Sequence, residues 1–238
     1  LRAVVGEELS YPAERITRGT AAEFAQGTFA PLSVLLVEGA ERPRAAVSSG
    51  IPDEDFLRDE VPMTKREVRA AALSLLEVEE DDVLWDVGAG TGSVSVELAL
   101  LARRGRGYAV ERKGEALSLI CANRTRFGAW NLVPVRGTAP AALEDLPAPD
   151  GVFVGGSGGE LDAILAAALG KNSRVRLCVS AIALETLSAA AAAFAARGLE
   201  AQVTQIWAAR SKGAGGLNLM MGQNPVWLIS GRRREEEA

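Results

Sequence analysis

The chain has 238 residues, hydrophobic side chains at 48% of its positions and a formal charge of -5. That length and apolar share suffice for one large α/β domain plus a short extra segment, while the acidic balance argues against a nonspecific grip on nucleic acid. Histidine is absent, which excludes imidazole base catalysis and His-ligated metal sites.

Residues 1–40 hold two strand-like runs, Arg2–Val5 and Leu32–Val37, around a turn-rich middle, Ser10–Gly19. This is too little to fold alone. A polar Pro/Gly/Ser stretch, Glu41–Pro52, follows, so a boundary is placed near residue 48, dividing the chain into residues 1–48 and 49–238. From Val61 a regular alternation begins. Thr64 followed by Glu67 reads as a capping box opening a helix to about Leu76. Strand Val83–Val87 leads through a glycine loop into helix Ser93–Arg103. Strand Gly107–Glu111 precedes helix Glu115–Phe127, and strand Leu132–Val135 precedes a short helix after Pro140. Strand Gly151–Val154 runs into Gly155–Gly159 and helix Glu160–Leu169. Strand Arg174–Val179 is followed by an alanine-rich helix that stops at Arg197 and Gly198. Two β-rich runs, Glu200–Ala208 and Pro225–Ile229, finish the chain around a glycine-rich loop, Lys212–Gly222. The final Arg232–Ala238 run reads as a solvated tail.

Strand and helix alternation implies a parallel sheet with right-handed crossovers. A terminal strand pair with no intervening helix implies an antiparallel finish. The expected fold class is therefore α/β: a Rossmann-like sheet, mostly parallel, with an antiparallel C-terminal strand pair. It resembles the sheet of class I S-adenosyl-L-methionine-dependent methyltransferases and differs from the all-parallel dinucleotide fold.

Asp86-Val87-Gly88-Ala89-Gly90-Thr91-Gly92 lies between a strand and a helix. Alternate glycines let the backbone turn sharply and approach a ligand, and the helix start behind them supplies unpaired N–H groups. A dinucleotide fingerprint would place its third glycine at position 93, where Ser93 stands, so the spacing fits an adenosylmethionine loop better. Glu111 closes the next strand, where a carboxylate can accept both ribose hydroxyl protons, and Asp86 is expected to orient the loop or the methionyl ammonium. The plain alternative is a tight strand–helix turn followed by a solvated acid. Thr138 stands where such domains usually place an adenine-binding Asp, which shifts that contact to backbone around Ala139.

Three further segments point to one family: Gly50–Phe56 running on to Val61–Arg69, then Phe153–Gly159, then Gly216–Met221. With the glycine loop they resemble the decarboxylating precorrin methyltransferases of cobalamin biosynthesis, in particular the C-terminal domain that methylates C15 and removes the ring C acetate carboxylate. The resemblance covers residues 50–230. It implies S-adenosyl-L-methionine as cofactor, contacted by Thr64, Gly88, Ala89, Gly90, Thr91, Gly92, Glu111 and Ala139, and a corrin precursor as the small-molecule partner. Thr64 as a helix cap alone would explain its presence equally well. Val5–Ile16 resembles the closing part of a tetrapyrrole methylase domain, so residues 1–40 are expected to be a remnant with no C5-methylation activity of its own.

Gly155, Gly156, Ser157 and Gly158 follow the fourth strand, where methyl acceptors dock in this fold; a glycine platform suits a flat ring, and a flexible loop is the alternative. A substrate with many carboxylates calls for cations, and Arg58, Lys65, Arg69, Arg210 and Lys212 are the candidates. Lys212–Gly222 is expected to act as a lid, with Asn218 and Met221 facing the ring; with Arg69 they are the candidates for catalysis. The acceptor's electron-rich carbon removes the need for a strong base. Two rival readings stand beside this one: a methyltransferase with another acceptor, and a silent tetrapyrrole-binding scaffold.

Cys121 and Cys178 both fall in segments that read as buried, which suits a reducing cytoplasm. Neither a spanning apolar run nor a signal peptide is visible. Association into a homo-oligomer, a tetramer among the options, is expected through the Glu200–Ile229 edge.

Overall fold

A computed structural model of the protein describes residues 1–39 and 49–233. The chain divides into two compact units, Leu1–Arg44 and Ala45–Ala238. The boundary expected near residue 48 lies outside the described residues, as do residues 234–238 of the expected tail.

In the first unit, β1 (Arg2–Glu7) pairs antiparallel with both β2 (Arg15–Thr20) and β3 (Ser33–Glu38). The stretch Ser10–Gly19, expected to be turn-rich, therefore runs into a strand. Ile16 is the one large apolar residue of β2, so the two-residue hydrophobic period is missing and backbone pairing with β1 makes the strand. Thr20 and Glu23 form a capping box at the short helix α1 (Ala21–Phe24).

In the second unit the elements follow in the order α2 (Arg66–Leu75), β4 (Val83–Val87), α3 (Ser93–Leu101), β5 (Arg106–Glu111), α4 (Gly114–Phe127), β6 (Leu132–Arg136), β7 (Gly151–Val154), α5 (Leu161–Lys171), β8 (Arg176–Ala181), α6 (Leu184–Ala196), β9 (Leu199–Ile206), β10 (Ala209–Ala214), β11 (Leu217–Gly222) and β12 (Val226–Arg233). Seven strands form one sheet in the order β6-β5-β4-β7-β8-β12-β9. Strands β4 to β8 pair in parallel, and β12 runs antiparallel to both β8 and β9. This is the expected class I sheet.

The central strands are buried on both faces. Alternation sends Trp85 and Val87 of β4, with Leu177 and Val179 of β8, into one core. Leu84 and Cys178 go into the other, beside Leu73, Leu98 and Leu228. The chain leaves β4 toward β5 on one side and later returns through β7 on the other, so a crevice opens at the C-terminal ends of these two strands.

Four local expectations are corrected. Helix α2 starts at Arg66, with Lys65 as N-cap and no side-chain cap. The Thr64 carbonyl instead accepts from Arg69 Nη1 at 2.5 Å, and Glu67 pairs with Arg210 rather than reaching back. The Lys212–Gly222 loop is a hairpin, β10 against β11, turned by Gly215 and Gly216, both at positive φ. Arg232 and Arg233 are the last residues of β12 rather than a tail. Of the cysteines, Cys178 is buried but Cys121 is exposed.

Candidate active site at the C-terminal edge of the sheet

β4 ends at Val87, and the loop that follows is held by β5: the N–H groups of Gly88 and Ala89 both donate to the Val110 carbonyl, at 3.0 and 3.2 Å. Gly88 has φ +74°, and a Cβ there would sit 2.5 Å from the Gly156 carbonyl oxygen. Only glycine lets this turn press against the loop after β7. Gly92 is the left-handed N-cap of α3.

Glu111, the last residue of β5, organises the loop from the other side. Its Oε2 accepts the Gly90 N–H at 3.0 Å, and its Oε1 accepts the N–H groups of Arg112 and Lys113 at 2.8 and 2.9 Å. The carboxylate is thus fixed beside the glycine turn. Asp86 is buried and accepts a hydrogen bond from the Ser95 hydroxyl. Burial pushes its carboxyl up to about 7, the Ser95 hydrogen bond opposes this, and the nearby Glu111 charge adds to it.

These groups wall a cavity of about 570 Å³. Asp86, Gly88, Ala89, Gly90, Glu111 and Ala139 line it, as do Thr64 and Lys65. Gly155, Gly156, Ser157 and Gly158 line it from the β7 side, so the sequence-derived cofactor and acceptor segments meet in one space. Thr138 lies in the wall beside Ala139.

Other expected residues lie elsewhere. Thr91 and Gly92 sit behind the wall: Thr91 is buried with its carbonyl on Asn123 Nδ2 at 2.9 Å, and a Cβ at Gly92 would meet Ile120. Their role is to hold the loop on α4. Arg69, expected to meet substrate, is 0% exposed. It donates to Glu97 and Asp53, each at 2.8 Å, to the Ile51 and Thr64 carbonyls, and stacks on Phe56. Arg210 is likewise committed, to Asp53 at 2.8 Å and Glu67 at 2.6 Å. Burial pushes the Asp53 carboxyl up, and the hydrogen bonds and charges of the two arginines more than reverse this. Arg58 is exposed and outside the wall. Lys212, Asn218 and Met221 are on the exposed hairpin, not over the cavity.

The ion pairs have a clear structural purpose. Glu97 also accepts the N–H groups of Gly50 and Ile51, at 2.6 and 3.1 Å, and Asn123 brackets Leu57 through both its N–H and its carbonyl. Together with Arg69 these fasten the segment before α2, whose end, Val61 to Lys65, forms part of the cavity wall. Sequence reasoning missed the wall residues Ser180, Ile182, Gln223, Asn224 and Val226. Ser180 and Ile182 come from the C-terminal end of β8, whereas the antiparallel insertion of β12 brings Gln223, Asn224 and Val226 to this edge.

A family model, the precorrin methyltransferase domain, matches residues 54–232. The chain belongs to this family. It is 48% identical over 184 residues to the probable cobalt-precorrin-6B C(15)-methyltransferase (decarboxylating) of Pyrobaculum calidifontis, covering 76% of this chain and 94% of that one. The solved precorrin-6Y C5,15-methyltransferase from Geobacter metallireducens superposes with a TM-score of 0.75 at 37% identity, over 82% of this chain and 100% of that one. The precorrin-8W decarboxylase of Methanobacterium thermoautotrophicum gives 0.73 at 39% identity, over 76% and 98%. Within the family, the glycine turn, Glu111 and the Gly155–Gly158 platform occupy one continuous crevice in this chain.

Proposed function

We propose that the protein methylates C15 of a precorrin or cobalt-precorrin with S-adenosyl-L-methionine and removes the ring C acetate carboxylate as carbon dioxide. The observation that carries this reading is the single cavity joining the Gly88–Gly90 turn and Glu111 to the Gly155–Gly158 platform, in a chain of the precorrin methyltransferase family.

The residues fit the cofactor. Gly88 and Gly90 bring bare backbone to the wall, and Glu111 retains acceptor capacity for ribose hydroxyls. Asp86 faces the place of an ammonium, and Ala139 leaves room for an adenine ring beside backbone. When bound, S-adenosylmethionine supplies an electrophilic methyl group. The chain's task is then positioning and exclusion of water, which Val68, Phe153 and Val226 serve from the apolar part of the wall. An electron-rich ring carbon attacks without a protein base.

The same reading covers the surroundings. We place the protein in a reducing cytoplasm, in keeping with its two free cysteines, and as a homo-oligomer that uses the hairpin, where Leu217, Leu219, Met220 and Met221 are exposed. No helix among the described residues is long and apolar enough to cross a membrane. The first unit lies outside the family match, and we read it as part of a tetrapyrrole methylase domain.

Calorimetry with S-adenosylhomocysteine tests the cofactor half of the proposal. The parent should bind, and Glu111→Ala should lose about 1–3 kcal/mol, the scale of a hydrogen bond to a charged group. A parent that does not bind would reduce the glycine loop to a structural turn and remove the enzymatic reading.

A further inference from the structure

The β7–β8–β12 end of the cavity has a composition that methyl transfer alone does not require. Its polar side chains are Ser157, Ser180, Gln223 and Asn224, all neutral, and Ile182 and Val226 stand among them. Among the described residues that line the cavity, the cations are Lys65, just before α2, and Arg112 and Lys113, just after β5. Two arginines that the sequence offers for a carboxylate are spent: Arg69 on Glu97 and Asp53, and Arg210 on Asp53 and Glu67.

The position of Gln223 and Asn224 is set by the fold. The Gln223 N–H donates to the Ala208 carbonyl at 2.9 Å, closing the base of the hairpin. Pro225 follows Asn224, and β12 then enters the sheet with Val226 opposite Ile206 and Trp227 opposite Ala181. Because β12 runs against its neighbours, its start lies at the C-terminal end of β8, and Gln223, Asn224 and Val226 line one cavity with Ser180 and Ser157.

We infer that Gln223, Asn224 and Ser180 form the subsite that holds the departing carboxylate during decarboxylation, an assignment that rests on the function proposed above. The carbon–carbon bond between the acetate methylene and its carboxylate breaks, carbon dioxide leaves, and the bonding pair passes into the conjugated ring. The methylene then takes a proton from water and becomes a methyl group.

In that step negative charge moves away from the carboxylate. A guanidinium or ammonium would hold the carboxylate most strongly before the bond breaks, and an interaction that is strongest in the ground state raises the barrier. Neutral amides and a hydroxyl orient the carboxylate with less of that penalty. Lys65 remains available for another of the substrate's carboxylates, where it contributes binding rather than rate.

The test compares the parent with Asn224→Leu and Asn224→Asp, measuring carbon dioxide release at saturating corrin precursor and methyl donor. Both variants keep the side-chain size, one removing the donors and the other also adding a charge. Their kcat for carbon dioxide release should fall about tenfold or more, while S-adenosylhomocysteine affinity and Tm stay at the parent's values. Lys65→Met should raise KM with kcat retained. Unchanged kcat in both Asn224 variants, whatever happens to KM, would overturn the subsite. A parent that releases no carbon dioxide would instead remove the proposed function on which it rests.

Discussion

Glu111 Oε2 accepts the N–H of Gly90 across 3.0 Å, joining the end of β5 to the middle of the glycine turn. A residue expected to serve the cofactor therefore also sets the shape of the loop that receives it. With Oε1 taken by the Arg112 and Lys113 amides, the carboxylate is oriented before any ligand arrives. That preorganisation lowers the ordering cost of binding.

Gly88→Ala should damage the site directly. Its φ of +74° is left-handed, and the new Cβ would lie 2.5 Å from backbone oxygen of Gly156. The backbone conformation alone costs about 1–2 kcal/mol, and the overlap separates the two loops that close the cavity. Thermal melting and S-adenosylhomocysteine binding should both decline; parent-like binding would show that the loops can part without consequence.

Arg69→Met should act on stability before it acts on substrate. The substitution leaves the buried Glu97 without its cation, takes one of two arginines from Asp53 and frees the Ile51 and Thr64 carbonyls. Breaking a buried pair by removing one partner costs about 3–5 kcal/mol. Denaturant unfolding should register a loss of that size. A stable variant with a raised KM for the corrin precursor would return Arg69 to the substrate pocket.

Asp86 gives the stability a defined pH dependence. Its folded-state value is raised, from 3.8 to about 7, mainly by burial. The folded protein thus holds a proton that the unfolded chain releases between these values. The stabilisation is complete below 3.8 and is lost as pH rises through about 7. Melting curves across this window should fall with pH in the parent and flatten in Asp86→Asn. A cationic ligand ammonium beside Asp86 favours its charged form, so bound cofactor should reduce the slope.

The two cysteines should differ in reactivity. Cys121 is exposed, while burial pushes the Cys178 thiol up to about 12. A thiol reagent near neutral pH should modify one cysteine in the folded protein and the second only on unfolding. Rapid modification of both would mean that β8 opens readily.

What could be read from the sequence was local. The glycine turn, Asp86 and Glu111 declare themselves within single strand–loop–helix units, and the alternation from Val83 to Ala196 gives the sheet because each element carries its own periodicity. Arg69 and Arg210 were misread because their fate depends on Asp53, Glu67 and Glu97, which pairing brings from distant positions. Nothing local distinguishes a buried, paired arginine from one waiting for a carboxylate. Thr91 lies in the motif yet is buried outside the cavity wall, its carbonyl accepting from Asn123 of α4. Gln223 and Asn224 were out of reach for a topological reason: the antiparallel sense of β12 carries its start to the active edge. The hairpin was hidden by glycines that look like a loose loop but turn two strands tightly.

The most direct measurement is turnover of the parent protein with a corrin precursor that still carries its ring C acetate, in the presence of S-adenosyl-L-methionine. Mass spectrometry of the corrinoid should be joined to quantification of carbon dioxide. A product that has gained one methyl group and lost one carboxyl group, with carbon dioxide in matching amount, is the predicted result. A corrinoid recovered unchanged, or methylated with every carboxyl group intact, would contradict the account.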